Sequence, residues 1–313
     1  MREGTGVRAK VPTLKSKLCC HEKPVTALTF ATDSILFSGS ADGTVRRWNL
    51  ETNQPGATFK PKAKTAVPVT TIALSPDGHT LVSGHEDGQL HLWNVHGGPA
   101  SCKLAGHLSK VSALMFMTEG QRIISGSSDG TVVQWSADTG KRIKTLASGS
   151  EGITALALAP DNTLLAIATD NGVIQVLNLR TEAVDWEQNA HEFWAASLAF
   201  SPNSNALVSG GYDQMVRVWA AQTGFKVQAM RGHSGCIGTV AYEPIASNLQ
   251  HKSSGRLIAS GSYDGSVRLW DSWTGELAHT LADHGTTVAS VAFAPVGNTL
   301  ATTAREEIWL WGL

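Results

Sequence analysis

Short runs rich in Val, Ile, Leu and Thr recur along the chain, each five to six residues long and bounded by Gly, Asp, Asn or Ser. VTALTF (25–30), VSALMF (111–116) and VASVAF (288–293) open equivalent stretches. Each is followed by a turn and a second run, such as ILFSGS, TLVSGH, RIISGS, ALVSGG or LIASGS. Asp-Gly at 42–43, 87–88, 129–130 and 264–265, or Asn-Gly at 171–172, then leads into a third run, which ends in Trp in TVRRW, QLHLW, TVVQW, MVRVW and SVRLW. Runs of this length and composition predict strands, and the Asp-Gly and Asn-Gly pairs supply the positive φ of tight hairpins. A later turn, DTGK (138–141), QTGF (222–225) or WTGE (273–276), feeds a fourth strand such as RIKTL or KVQAM. No stretch places apolar residues at i, i+3, i+4 and i+7, which excludes helical solenoids of similar period.

Trp48, Trp93, Trp135, Trp219, Trp270 and Trp311, with Leu177 in the gap, are spaced by 45, 42, 42, 42, 51 and 41 residues. Seven units of four antiparallel strands predict an all-β fold, a seven-bladed β-propeller. The termini predict how the ring closes. Lys17-Leu18-Cys19-Cys20-His21 matches Lys103-Leu104-Ala105-Gly106-His107, where a fourth strand runs into the next unit, while Trp311-Gly312-Leu313 follows a third strand directly. Residues 13–18 are therefore expected to supply the fourth strand of blade 7, within a single propeller of residues 11–313. Residues 1–10 are left as a disordered tail.

Gly-His at 106–107 and 232–233, Asp six residues before Trp, and Trp-Asp at 270–271 resemble the WD-repeat family over residues 13–313. That resemblance implies a polar network in each blade: a His before the first strand, a Ser or Thr in the second, an Asp in the following turn and the Trp indole. Carried over, it is complete in four blades, as His21, Ser38, Asp42, Trp48; His107, Ser125, Asp129, Trp135; His191, Ser209, Asp213, Trp219; and His233, Ser260, Asp264, Trp270. Four copies of a Ser–His–Asp constellation with no oxyanion hole read as structure, not as catalysis. Blade 2 has Thr65 in place of the His but keeps Ser83, Asp87 and Trp93. Blade 4 has Gly149, Ile167, Asn171 and Leu177 throughout, and should be less tightly fastened. Blade 7 keeps His284 and Trp311 but has a shortened turn, Arg305-Glu306-Glu307.

With 42% hydrophobic and 16% charged residues the chain has ample material for a core. A net charge of −1 supplies no global field for nucleic acid or an anionic membrane. No apolar run long enough to span a bilayer and no signal-peptide pattern occur, so a soluble, cytoplasmic protein is expected, or a nuclear one in a eukaryote. The four cysteines, at 19, 20, 102 and 236, form no metal-binding or disulfide spacing. Cys19 and Cys20 are expected to be buried or partly buried thiols. His79, His85, His91 and His96 cluster in blade 2 without a ligand spacing and read as solvated surface residues, leaving no metal and no cofactor to propose. Lys60, Lys62 and Lys64 read as a solvated loop. The segment 244–256 inserts about nine residues between the first and second strands of blade 6 and is polar enough to be merely tolerated.

The expected function is a non-catalytic platform that binds a partner protein or peptide within a complex, monomeric as a domain and with no small-molecule substrate. The alternatives are an enzyme with its site at the channel mouth and a nucleic-acid-binding subunit. The positions at the channel are Thr26, Thr70, Ser112, Thr154, Ala196, Gly238 and Ala289, small and neutral where an enzyme would converge ionisable groups. Family topology puts Ala41, Glu86, Ser128, Asp170, Tyr212, Tyr263 and Arg305, with Pro24, Pro68, Lys110, Gly152, Trp194, Cys236 and Thr287, on the narrow face around the rim. Phe193, Trp194, Tyr212 and Tyr263 are expected to form the partner patch there, with Glu86, Lys110 and Arg305 setting charge preference.

Overall fold

The computed structural model describes residues 11–19, 21–62, 65–96, 102–104, 106–245, 256–281 and 284–313. The expected tail, residues 1–10, and most of the blade-6 insertion, residues 246–255, lie outside the described residues. Among the described residues there is no helix, and 28 strands form seven four-stranded antiparallel sheets. First strands pack on one another in a ring, from Val25–Thr32 around to Val291–Phe293 and back to Val25–Thr32. They are therefore the innermost layer. Six sheets follow chain order; the seventh joins Thr13–Cys19 to Glu307–Gly312, Thr299–Ala304 and Val291–Phe293.

That seventh sheet closes the ring. Thr13–Cys19 pairs antiparallel with Glu307–Gly312, and the Val25 N–H donates to the Arg305 carbonyl at 2.7 Å. Leu18 is buried with Val25, Leu36, Trp48, Ala301, Ile308 and Leu310, so the seam holds a hydrophobic cluster like those elsewhere. Among the described residues there are seven such clusters, one between each pair of adjacent sheets. The core is thus distributed around the ring, not gathered in one place.

How closely blades approach explains the Ser-Gly of the second strands. A Cβ on Gly39, Gly84 or Gly126 would stand 2.7 Å from a methyl of Val69, Val111 or Ile153 respectively, each on the first strand of the next blade, and one on Gly261 equally close to a methyl of Val288, which just precedes the first strand of blade 7. Gly210 against Ile237 is closer still. Blade 4 breaks the pattern with a compensated exchange: Ala168 replaces the glycine, and the residue that faces it from blade 5 is Ala195 instead of Val or Ile. Both are fully buried in one cluster. Volume lost on one strand is regained on the other, which close packing requires.

Hydroxyls on the inner strands fasten neighbouring blades. Thr26 Oγ1 donates to the Val69 carbonyl at 2.8 Å and Thr70 Oγ1 to that of Val111 at 2.5 Å. Ser112 and Thr154 do the same to Ile153 and Ala195. In blades 5 and 6 the hydroxyl moves one residue along, and Ser197 and Thr239 accept from the Val240 and Val291 N–H groups at 3.0 and 3.3 Å.

Two outcomes are expected from this packing. Removing residues 1–20 strips Leu18 from its cluster and exposes two strand edges, so the truncated chain should aggregate or lose much of its melting temperature; a chain that melts like the intact one would contradict the closure. Ala195→Val alone should destabilise by about 1–3 kcal/mol through overpacking against Ala168, and adding Ala168→Gly should restore most of that loss in urea unfolding.

Candidate functional site: the rim of the channel mouth

In the four blades with a full network the geometry repeats closely. His21 Nδ1 lies 2.9 Å from Asp42 Oδ2 and its Nε2 2.8 Å from Ser38 Oγ, which also accepts from Trp48 Nε1 at 2.8 Å. The sets of His107, His191 and His233 reproduce this with Asp129 and Ser125, Asp213 and Ser209, and Asp264 and Ser260; Trp135, Trp219 and Trp270 donate to the serines. The donors fix the tautomer. Each serine takes the indole N–H and so gives its own proton to His Nε2, while the carboxylate can only accept, from Nδ1–H. Burial accordingly pushes all four histidines below their ordinary value against the pull of the aspartates. Burial alone would raise Asp213, but hydrogen bonds from His191 and Arg217 outweigh it and hold the carboxyl down at about 2. All four serines are fully buried and each Oγ also accepts the indole N–H, so none is open to a substrate as a nucleophile would have to be.

The departures resolve differently in each blade. In blade 7 Thr302 takes the serine's place, 2.8 Å from His284 Nε2 and 3.0 Å from Trp311 Nε1. The shortened turn leaves Arg305 in the left-handed region, at φ 53°. In blade 4 Ile167 and Leu177 pack into an apolar cluster, and Gly149 faces open space beside a cavity of about 210 Å3. Asn171 serves only its own turn, accepting from Thr169 Oγ1 at 2.6 Å and from the Val173 N–H.

In blade 2, His85 of the second strand turns onto Ser83 Oγ at 3.0 Å, the oxygen that Trp93 also reaches. This overturns the reading of the four blade-2 histidines as solvated. His85 is 1% and His91 9% exposed, because the missing loop histidine leaves space that side chains of the blade's own strands fill. His79 and His96 do pair at the surface, 2.9 Å apart. A second correction concerns Cys19, which is exposed: alternation along its strand turns Leu18, not Cys19, into the seam. Cys20 and Lys64 lie outside the described residues.

The rim is built by a repeated backbone contact. The N–H groups of Ala41, Glu86, Ser128, Asp170, Tyr212 and Tyr263 donate to the carbonyls of Pro24, Pro68, Lys110, Gly152, Trp194 and Cys236 at 2.9–3.1 Å. Each residue before the tight turn is thereby tied to the loop that enters its own blade. Blade 7 differs, its Arg305 carbonyl taking the Val25 N–H of blade 1.

Three of the four expected aromatics meet. Trp194 stacks on Tyr212, with centroids 5.2 Å apart, and Tyr212 meets Tyr263 edge-on at 5.5 Å with the two hydroxyls 2.8 Å apart. Trp194 and Tyr263 stay 48% and 47% exposed, so Trp194 leans on its own blade's turn without being covered. Phe193 is 61% exposed and has no ring contact with the other three among the described residues. A cavity of about 260 Å3 opens beside this row, with Lys110, Ser128 and Asp170 on its opposite wall and Thr70, Ser112, Thr154, Ala196 and Gly238 beneath. Glu86 and Arg305 are exposed but do not line it. Asp170 and Ser128 do, although only their place before the Asp turn could have marked them in the sequence.

One contact outside the rim had no signal in the repeat. Glu243, buried at the base of the blade-6 insertion, accepts from the Arg256 and Leu257 N–H groups at 3.1 Å. Ser75 and Ser201 at the equivalent position in other blades each span the turn that joins their first and second strands, so the longer carboxylate suits the longer excursion.

Asp129→Ala and Asp264→Ala should each destabilise by about 2–4 kcal/mol, since each leaves a buried imidazole N–H without its acceptor. Asn171→Ala should cost less than about 1 kcal/mol. Chemical unfolding of the three variants checks this, and equal losses would contradict the assignment.

Residues 7–249 match the family described as "IFT122 first beta-propeller", and residues 275–311 match "WD domain, G-beta repeat". Among curated relatives, the chain is 31% identical over 265 residues to "Nuclear distribution protein nudF" of Emericella nidulans, covering 78% of this chain and 59% of that protein. It is 32% identical over 158 residues to "Uncharacterized WD repeat-containing protein sll1491" of Synechocystis, covering 50% and 43%. It is 24% identical over 264 residues to "WD repeat-containing protein 26 homolog" of Arabidopsis thaliana, covering 82% and 42%. The chain thus spans three fifths or less of the length of these relatives. No helix among the described residues is long and apolar enough to cross a membrane.

Proposed function

The chain belongs to the WD-repeat β-propeller family, and from that premise we propose that it is a non-catalytic interaction scaffold that takes a peptide or loop of a partner protein across the rim from blade 5 to blade 6. The observation that carries this reading is the row Trp194–Tyr212–Tyr263, half-exposed at both its ends, beside an open cavity. Rigid aromatic side chains at the edge of a concavity bury much area at small entropic cost, which is why Trp and Tyr anchor interfaces. Lys110 and Asp170 on the facing wall would select the charge of the entering segment. Phe193 extends the apolar surface beyond the row, and Glu86 and Arg305 add charge at the rim outside the cavity.

The floor supports a binding reading over a catalytic one. Thr70, Ser112 and Thr154 donate their hydroxyl protons to backbone carbonyls of the neighbouring blade, so they are fasteners instead of nucleophiles. Nucleic acid would need a concentration of cationic side chains at the mouth, where the cavity is lined by one lysine, Lys110, and one carboxylate, Asp170. The reading further takes the chain to act as a single propeller within a larger assembly, in a reducing compartment such as the cytoplasm.

Peptides selected from a random displayed library against the intact chain test the proposal. Trp194→Ala and Tyr263→Ala are each expected to weaken the selected peptides by about 2 kcal/mol in calorimetry, with melting temperatures moved by no more than about 2 °C. Should both variants bind as the parent does while removal of residues 246–255 abolishes binding, the partner occupies the opposite face and the proposal fails.

A further inference from the structure

Blade 4 lacks its network at every position, and with it the side chains that fill the space between loop and strands in the complete blades. His107, Ser125 and Asp129 of blade 3 correspond, each 42 residues on, to Gly149, Ile167 and Asn171. No imidazole enters from the loop, and a Cβ on Gly149 would meet nothing within 4 Å. The loop backbone nevertheless keeps its usual place: the Gly149 N–H donates to the Gly130 carbonyl of blade 3 at 3.0 Å, as the His191 N–H donates to that of Gly172 in blade 5. A cavity of about 210 Å3 therefore remains between blades 3 and 4.

Its lining divides by depth. Ile153 and Ile167, 4% and 2% exposed, form the floor, with Ala147 and Val173 beside them. Thr169, also buried, spends its hydroxyl proton within the Asn171 turn. The ionisable residues stand at the mouth, Glu151 in the entering loop and Glu187 on the fourth strand, and both are exposed. Glu151 accepts from Ser150 Oγ at 3.1 Å and Glu187 from Gln175 Nε2 at 2.6 Å. Neither carboxylate is ion-paired among the described residues, and no lysine, arginine or histidine lines the cavity.

An apolar pit with two carboxylates and no counter-ion at its opening is complementary to one kind of side chain, an aliphatic stem that ends in a cation. It no longer suits an imidazole. Ile167 offers Nε2 no partner, and Asn171 Oδ1 is already taken by Thr169 Oγ1 and the Val173 N–H. The volume lies below the roughly 300 Å3 at which small-molecule sites begin, so the pit holds a single side chain.

We propose that this cavity is a docking pocket for an arginine side chain presented by an extended segment of a partner protein, with its methylenes on Ile153 and Ile167 and its guanidinium shared by Glu151 and Glu187. Arginine suits this mouth better than lysine. Its planar fork carries five N–H donors, which can serve two carboxylates at once, and its weakly hydrated head leaves water at lower cost. Because both carboxylates are exposed, the pocket contributes selectivity and a modest affinity to a larger contact. The proposal does not rest on the aromatic rim, since Ile153 is the one residue that lines both cavities.

NMR of the isoleucine methyl groups tests this, with the intact chain titrated by the capped tripeptide acetyl-Gly-Arg-Gly-amide. Ile167 lines this cavity and not the rim, so its methyl signals should shift saturably, with Kd of about 10 mM or tighter. Exchanging the arginine for citrulline, which keeps the shape but not the charge, should weaken binding about fivefold or more, and exchanging it for lysine about twofold or more. Glu151→Gln with Glu187→Gln, both at exposed positions, should bring the arginine peptide down to the level of the citrulline peptide at unchanged melting temperature. Trp194→Ala should leave the affinity as it is; a loss there would put the arginine at the rim and overturn the assignment. Free arginine that binds more tightly than the capped tripeptide would make the occupant a small molecule and likewise overturn it. So would the absence of a shift at Ile167 up to about 50 mM peptide, equal affinities for the arginine and citrulline peptides, or a double glutamate variant that binds as the parent does.

Discussion

In this ring a second strand passes so close to the neighbouring blade that, in most blades, a single methyl group has no room between them. At five of the seven interfaces a glycine meets that limit, with a Val or Ile of the neighbour pressed where its Cβ would be. Blade spacing follows from this approach, and much else follows from blade spacing. Inner-strand hydroxyls can reach the next blade's carbonyls only at this distance, and the rim side chains stand around one mouth only because the inner strands form one narrow ring. The blade 4–5 interface obeys the same limit by another route, dividing the volume between Ala168 and Ala195.

The polar networks are subordinate to that packing. Each satisfies a buried imidazole, hydroxyl and carboxylate behind the Asp turn and so fixes the turn's conformation. Where a network is missing the ring stays intact, but the vacated space persists as a cavity whose character depends on which side chains border it. Blade 4 answers with apolar residues and a turn held by Asn171; blade 2 answers with imidazoles and lysines. A repeat protein can in this way lose a structural contact in a single unit and keep its fold, because the other units still carry it.

The mouth of the channel shows the complementary case, in which the backbone is the same in six blades and only side chains differ. One N–H to carbonyl contact sets the rim in each of these blades, and chance of sequence gathers the large aromatics in blades 5 and 6. Trp194, Tyr212 and Tyr263 touch one another, and the two ends of the row, Trp194 and Tyr263, remain about half open to solvent. Function in such a scaffold is therefore a property of a few side chains and not of the fold.

The fold was legible in the sequence because everything that defines it is local or periodic. Asp-Gly turns, five-residue strands and Trp recurring about every 42 residues leave few alternatives, and the match of residues 17–21 to 103–107 already pointed to the closing strand. The rim residues were legible for the same reason, since each sits at a fixed offset from a turn. The tertiary structure decided what lies across from what. The meeting of Ala168 and Ala195 in one cluster, the burial of His85 and His91, the outward turn of Cys19 and the gathering of Lys60, Lys62 and His91 at one cavity all depend on contacts between segments that no spacing along the chain connects. Periodicity places a side chain on a strand and a face, but its environment is set by the neighbouring strands and loops that close over it.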